Sequence, residues 1–362
     1  MTDALQLGVI GVGDVAQRDY LPEISRLEPD AVVVAVAGAG EQRVREVAEG
    51  LRVTAHVGYP SLLGDEDVDA VLNLTPAKLH DEINAAAIDR GKHVYSEKPL
   101  AMTADAGRAL GARARERHVV LAAAPSVLVY PQVQIVREQL GLGNVGDPVA
   151  ASSAIFGGVP PWEGFASDPS PYFEEGIGPL VDIGVYPLHA LTGLLGSVAR
   201  VGAVGERTRE SFVVDEGPFH GLRVPVEEDD VSLLLLEFAS GVLATVHSSF
   251  ASVPGSVPEL EVLGARGAIS CSLLDPTAPV RVSDGADWKE LGVPAERSVG
   301  PDHILGVRHF VRAIKGDEPL ILTAHHAAHV LDVIEAARLS AEQHRFVDVP
   351  DRGWSPAGAA DG

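Results

Sequence analysis

Two hydrophobic rhythms alternate along the first third of the chain. Short unbroken apolar runs are followed by longer stretches in which apolar residues return every three or four positions. Leu7, Val9 and Ile10 close the first run. Residues 31–37 (AVVVAVA) make a second, continuous enough for a parallel strand covered on both faces. Further strands are predicted over 67–74, 93–96 and 118–124. Helical spacing appears at Tyr20, Leu21, Ile24 and Leu27, then at Val44, Val47, Ala48 and Leu51, and again over 80–90 and 103–117. Pro22 predicts a bend or restart in the first of these helices, and Gly91 a C-terminal cap on the third. Strands and helices alternating at this spacing imply right-handed crossovers and a doubly wound α/β sheet over 1–124.

The texture changes after Pro125. A helix over 131–140 leads to a strand over 148–156, and then to an irregular Pro- and Gly-rich segment, 157–178, that reads as a binding loop or lid. Residues 231–238 and 242–250 flank Ser240-Gly241 as a hairpin, and 260–263 and 268–272 form another. Helices over 301–315 and 324–342 and a short strand over 345–349 follow. The region 125–350 is therefore an α+β domain built on a large, mostly antiparallel open sheet. Residues 351–362 read as a disordered tail. The strands of 231–250 alternate only partly with polar residues. A sheet apolar on both sides needs a cover, so a homodimer or homotetramer through this sheet is expected.

Composition narrows the class. A chain of 362 residues suffices for two domains with buried cores. Its hydrophobic fraction of 46% fits a compact soluble protein, and no apolar run approaches the ~20 residues that span a bilayer. The first strand starts near Leu5, leaving no room for a secretory signal, and the single cysteine, Cys271, excludes an internal disulfide. Both point to the cytoplasm. A net charge of −23 argues against nucleic acid as a partner, because a polyanion would be repelled.

Candidate chemistry lies just past the strand ends, where open α/β sheets bind ligands. Gly11, Gly13 and Ala16, with Asp14 and Val15 between them, occupy the positions of a G-x-G-x-x-G/A turn. The first glycine permits the tight turn, the second lets a pyrophosphate approach the backbone, and the small third residue lets the next helix pack on the strand. This makes the first domain a candidate Rossmann domain. Lys98, in Glu97-Lys98-Pro99, directly follows a buried strand. It reads either as a positioned cation near a substrate oxygen or as half of a salt bridge. A second cluster lies in 178–191, where, read as one helix, Asp182, Tyr186 and His189 share a face. The rest of that circumference is apolar, so the polar stripe either closes an internal network or meets a bound polar ligand. Trp162, Tyr172 and Phe173 either stack on a sugar ring or anchor their loop. His325, His326 and His329 read as packing on an amphipathic helix, with no acidic or cysteine ligand beside them, so no metal is expected. Glu227 to Asp230 read as a solvated turn.

In order and spacing, Gly11-Val-Gly13-x-x-Ala16, Glu97-Lys98-Pro99 and Gly178-x-x-x-Asp182-x-Gly184-x-Tyr186 resemble the Gfo/Idh/MocA oxidoreductases, dehydrogenases of sugars, inositols and related polyols. The resemblance implies that Lys98 orients substrate and assists proton transfer, Asp182 binds a substrate hydroxyl, and Tyr186 is the acid/base. Most members have histidine where this chain has Tyr186, and many have aspartate where it has His189, which leaves His189 as a second substrate contact or as the base itself. The resemblance also implies a cis Lys98–Pro99 peptide and a cofactor-side position for His80, beside Thr75-Pro76. A tyrosine base titrating near ~10 needs a nearby cation, which Lys98 could supply. The cofactor is NAD or NADP. The second strand ends at Gly38 rather than at a carboxylate, and Arg43 is the nearest cation, which favours NADP.

The expected activity is hydride transfer between nicotinamide and a secondary alcohol or ketone of a pyranose sugar, glycoside or cyclitol. Two alternatives use the same residues. One is NAD-dependent glycoside hydrolysis through transient oxidation, marked by a cofactor held without net turnover. The other is a non-catalytic dinucleotide-binding regulator, which has no need of Lys98, Asp182 and Tyr186.

Overall fold

The apolar runs of the first third pair side by side. In the computed structural model, which describes residues 4–356 apart from 163, 254, 256, 298 and 299, six strands form one all-parallel sheet. They are β1 (Leu5–Ile10), β2 (Ala31–Gly38), β3 (Thr54–Val57), β4 (Ala70–Asn73), β5 (His93–Ser96) and β6 (Leu121–Ala123). Their order, β3-β2-β1-β4-β5-β6, is that of a doubly wound dinucleotide-binding sheet. Helices α1 (Glu41–Leu51), α2 (Tyr59–Leu63), α3 (His80–Asp89) and α4 (Ala104–Glu116) make the crossovers. Thr103 caps α4 by accepting the Ala106 N–H at 3.2 Å. After Gly13 the backbone is a wide helical turn, Ala16–Tyr20, that tightens to a 3-10 helix, Leu21–Leu27, at Pro22. The proline restarts the helix there, as the sequence implied. Strand β3 was not expected, because its edge position leaves it largely exposed and without an apolar run.

Contacts divide the chain into two units: Met1–Ser126 with His303–Ala328, and Val127–Asp302 with His329–Gly362. The sequence pattern places everything from 125 to 350 in the second domain, but the segment His303–Ala328, which includes α8 (Ile304–Lys315), packs with the first. The Ala123 N–H donates to the Leu322 carbonyl at 3.0 Å, and Lys315 reaches Asp30 at 2.6 Å. Gly306 lies so close that a Cβ there would sit 2.5 Å from the Tyr95 hydroxyl.

In the second unit, α5 (Pro131–Gly141) precedes β7 (Pro148–Phe156), with α6 (Gly178–Asp182) and α7 (Val185–Leu195) following. Then come β8 (Val198–Glu206), a small hairpin of β9 (Ser211–Val213) and β10 (Arg223–Pro225), β11 (Val231–Phe238) and β12 (Leu243–Ser249). The last strands are β13 (Leu260–Gly264), β14 (Ala268–Cys271), β15 (Val280–Ser283), β16 (Trp288–Leu291) and, after α9 (Ala324–Gln343), β17 (Val347–Asp348). The large sheet runs β16-β15-β14-β13-β7-β12-β11-β8-β17, antiparallel except where β7 meets β12. Both hairpins read from the sequence are present as β11–β12 and β13–β14.

The structure departs from the sequence pattern at 178–191 and at the C-terminal tail. The stretch 178–191 is two helices, broken at Ile183-Gly184. Pro187 has no N–H to give the Ile183 carbonyl, and the Gly184 N–H turns back to Pro179 at 2.8 Å, so the regular ladder fails between them. The described part of the tail is also tied down: Trp354 is buried and stacks on His329, ring centroids 5.1 Å apart. Residues 357–362 of that predicted tail lie outside the described residues. Among the described residues no helix is long and apolar enough to cross a membrane.

Candidate active site

The carboxyl ends of β1, β4 and β5 bring the glycine turn, Thr75-Pro76 and Lys98 together on neighbouring strands of one sheet. Gly11 has φ +97°, and a Cβ on it would sit 2.6 Å from the Leu74 carbonyl oxygen, so only glycine fits. Gly13 has nothing within 4 Å of its Cβ position, which leaves room for a ligand to approach the backbone. Asp14 and Val15 open the helical turn, and Ala16 is fully buried behind it. These features fit the pyrophosphate of a dinucleotide. At the end of β2, Gly38 packs on Val44 of α1, whose exposed Arg43 faces solvent one residue earlier.

Around Lys98 the loop is held by buried polar groups. Its own backbone N–H donates to Glu97 Oε2 at 2.8 Å, and Glu97 Oε1 accepts the Tyr20 hydroxyl at 2.5 Å. Burial, and then the Glu97 charge, hold the Tyr20 phenol well above its ordinary range, so it stays a donor. The Lys98–Pro99 peptide is cis, as the resemblance implied. His80 is buried between two loops, with Nδ1 2.6 Å from the Pro99 carbonyl and Nε2 2.8 Å from that of Thr75. Asn73, at the end of β4, accepts the Thr75 hydroxyl at 2.7 Å and donates to Asn84, which in turn donates to Ser96 at 2.8 Å. Tyr20, Asn73 and Asn84 were not singled out from the sequence. Tyr20 counted only as an apolar position, and an asparagine ending a buried strand was the one available hint.

In the second unit the helix break separates the predicted stripe. Asp182 ends α6, while Tyr186 and His189 lie one turn apart on α7, both buried. Burial, and then the nearby His329, push the His189 imidazole down to about 3. A ring that resists a proton so strongly is a poor base at neutral pH. His329 is itself fixed, with Nε2 accepting the Val198 N–H at 3.1 Å.

Trp162 and Tyr172 anchor their loop. Their rings lie 5.1 Å apart edge to face, and both pack on Phe250, while the Trp162 indole N–H donates to the Gly157 carbonyl. Phe173 and Ile183 join the same cluster, so the aromatic loop abuts the helix break beside Asp182.

A sheet of this order carrying this turn defines a dinucleotide-binding protein. Residues 5–124 match the model of an oxidoreductase family with an NAD-binding Rossmann fold, and 133–270 match the GFO/IDH/MocA C-terminal domain. The chain belongs to the Gfo/Idh/MocA family of oxidoreductases. It is 41% identical over 203 residues to a dTDP-3,4-didehydro-2,6-dideoxy-alpha-D-glucose 3-reductase of Streptomyces violaceoruber, covering 56% of this chain and 58% of the relative. The chain spans 58% to 64% of the length of this and two further 3-reductases. The Saccharopolyspora spinosa protein of the same name is 30% identical over 305 residues, covering 83% of this chain and 85% of its own. Among solved structures, a 3-ketoreductase from Actinomadura kijaniata in complex with TDP-benzene and NADP superposes with a TM-score of 0.74 at 26% identity, over 93% of this chain and 98% of that one.

Proposed function

We propose that this chain is an NAD(P)-dependent oxidoreductase that transfers a hydride between nicotinamide and a ring alcohol or ketone of a sugar. The observation that carries the reading is the loop holding Lys98, braced by Glu97 and His80 at the same sheet edge as a glycine turn open to a pyrophosphate. Nicotinamide, when bound, supplies or accepts the hydride. Lys98 presents its ammonium to the substrate oxygen and steadies charge there as the proton moves. Tyr186 exchanges that proton through its hydroxyl, and Asp182 accepts a hydrogen bond from a neighbouring sugar hydroxyl. The low basicity of His189 supports Tyr186 over His189 as acid/base, with His189 supporting the helix from inside.

A 3-keto sugar carried on a nucleotide is the first substrate to offer, because the relatives matched at 30–41% identity bear names of that kind. NADP is the favoured cofactor: β2 ends at Gly38 with no carboxylate to repel a 2′-phosphate, and Arg43 stands nearby. The outward face of the large sheet exposes Val204, Leu233, Leu235 and Leu243, an apolar patch that supports self-association as a homodimer or homotetramer. Sedimentation showing a monomer at micromolar concentration would remove that part.

The test is transfer of deuterium from [4-2H]NADPH and [4-2H]NADH to a panel of dTDP-linked 3-keto sugars, free keto sugars and keto forms of cyclitols. Label at one ring carbon, with stoichiometric oxidation of cofactor, is the expected result. Glycoside cleavage with no net cofactor oxidation would replace this reading with transient-oxidation hydrolysis, and cofactor binding without either reaction would leave a regulator.

A further inference from the structure

We infer that His80, seconded by the Tyr20–Glu97 pair, is a positioning residue that fixes the direction of Lys98, rather than a ligand of the cofactor. This rests on the proposed role of Lys98. The Glu97-Lys98-Pro99 loop is gripped on both sides by side chains that are themselves buried. On one side the Glu97 carboxylate takes the Lys98 N–H at 2.8 Å and the Tyr20 hydroxyl at 2.5 Å, which ties the loop to the helical turn that follows the glycines. On the other, the His80 ring spans the gap between the Pro99 and Thr75 carbonyls at 2.6 and 2.8 Å. A carbonyl oxygen only accepts, so whichever ring nitrogen carries the proton has a protein oxygen to donate to. With both nitrogens committed to protein oxygens, and the residue only 1% exposed, the imidazole offers nothing to a ligand.

The brace continues behind His80. Asn84, fully buried, donates to the Ser96 hydroxyl at 2.8 Å and to the Leu100 carbonyl at 3.2 Å, so the residues just before and just after the loop are held as well. Asn73 links this set to Thr75. Satisfied polar networks in a low-dielectric interior resist displacement more than separate bonds do, and a lysine on a flexible stem gains most when its backbone cannot drift. The Thr75 loop, which faces the cofactor side of the sheet, is thereby mechanically joined to the lysine loop.

The experiment compares Tyr20→Phe and His80→Asn with the native enzyme and repeats both in a Lys98→Ala background. Melting temperature, cofactor Kd and the split between kcat and KM are read for each. Positioning predicts that kcat falls about tenfold for Tyr20→Phe and about a hundredfold for His80→Asn, with cofactor Kd within about twofold. In the Lys98→Ala background each substitution should change the residual rate by less than about twofold, since the effect acts through the lysine. Equal losses in both backgrounds, or a cofactor Kd that rises in step with the fall in kcat, would overturn the inference. If His80→Asn does not fold, Tyr20→Phe, which keeps the ring and removes only the hydroxyl, decides alone. A Lys98→Ala enzyme that turns over normally would instead remove the role assigned to Lys98, and this inference with it.

Discussion

Around Lys98 the backbone is held by hydrogen bonds among buried polar side chains, whereas around Asp182 and Tyr186 it is held by apolar and aromatic packing. Glu97, His80, Asn73 and Asn84 each spend their polar atoms on a loop or strand end of the first unit. In the second unit, Trp162, Tyr172, Phe173 and Phe250 stack edge to face beside Ile183, and α7 is buried almost all round. The two modes suit different tasks. A polar brace fixes one direction for one charge. An apolar cluster can be reshaped by changing side-chain volume alone.

Removing the Tyr186 hydroxyl should have the largest effect on the packed half. Tyr186→Phe keeps the ring and its packing, so kcat is expected to fall about 10²-fold or more with melting temperature unchanged. Next, Trp162→Ala should destabilise the second unit by about 2–3 kcal/mol, read from denaturant unfolding, because it empties the centre of the aromatic cluster. A substitution on the braced half should trade the two readouts. Gly13→Ala meets no atom within 4 Å and should leave stability intact, yet weaken dinucleotide binding about tenfold by crowding the pyrophosphate.

The smallest effect is a pH dependence. The folded state holds His189 near 3, below the unfolded value of about 6.5, so the unfolded chain binds the extra proton first. The stability this contributes is fully present above about pH 6.5 and is lost progressively as pH falls toward 3. Between pH 6.5 and 5 the loss is about 1–2 kcal/mol, and His189→Gln should flatten that slope in thermal melts. A slope unchanged by the substitution would assign the acid sensitivity to other groups.

What the sequence disclosed follows from how each feature is encoded. Strand β2 is buried on both faces, so its run of Ala and Val was readable without any partner. The edge strands β3 and β16 are exposed and carry no such run, and they were missed. The break between α6 and α7 was written in Pro187, but the near-continuous apolar character of 178–191 masked it. Likewise Lys98 stood out as a cation after a buried strand, while its brace did not. Tyr20 and Asn84 act through single polar atoms whose partners lie far along the chain, and periodicity registers only whether a position is apolar.

The role of Lys98 is tested most directly by replacing it. With the sugar that gives label transfer, Lys98→Ala should lower kcat by about 10³-fold while the Kd for the nicotinamide cofactor, measured by fluorescence titration, stays within about twofold. A variant that retains more than about a tenth of the native kcat, or one that loses the cofactor along with the activity, would contradict it.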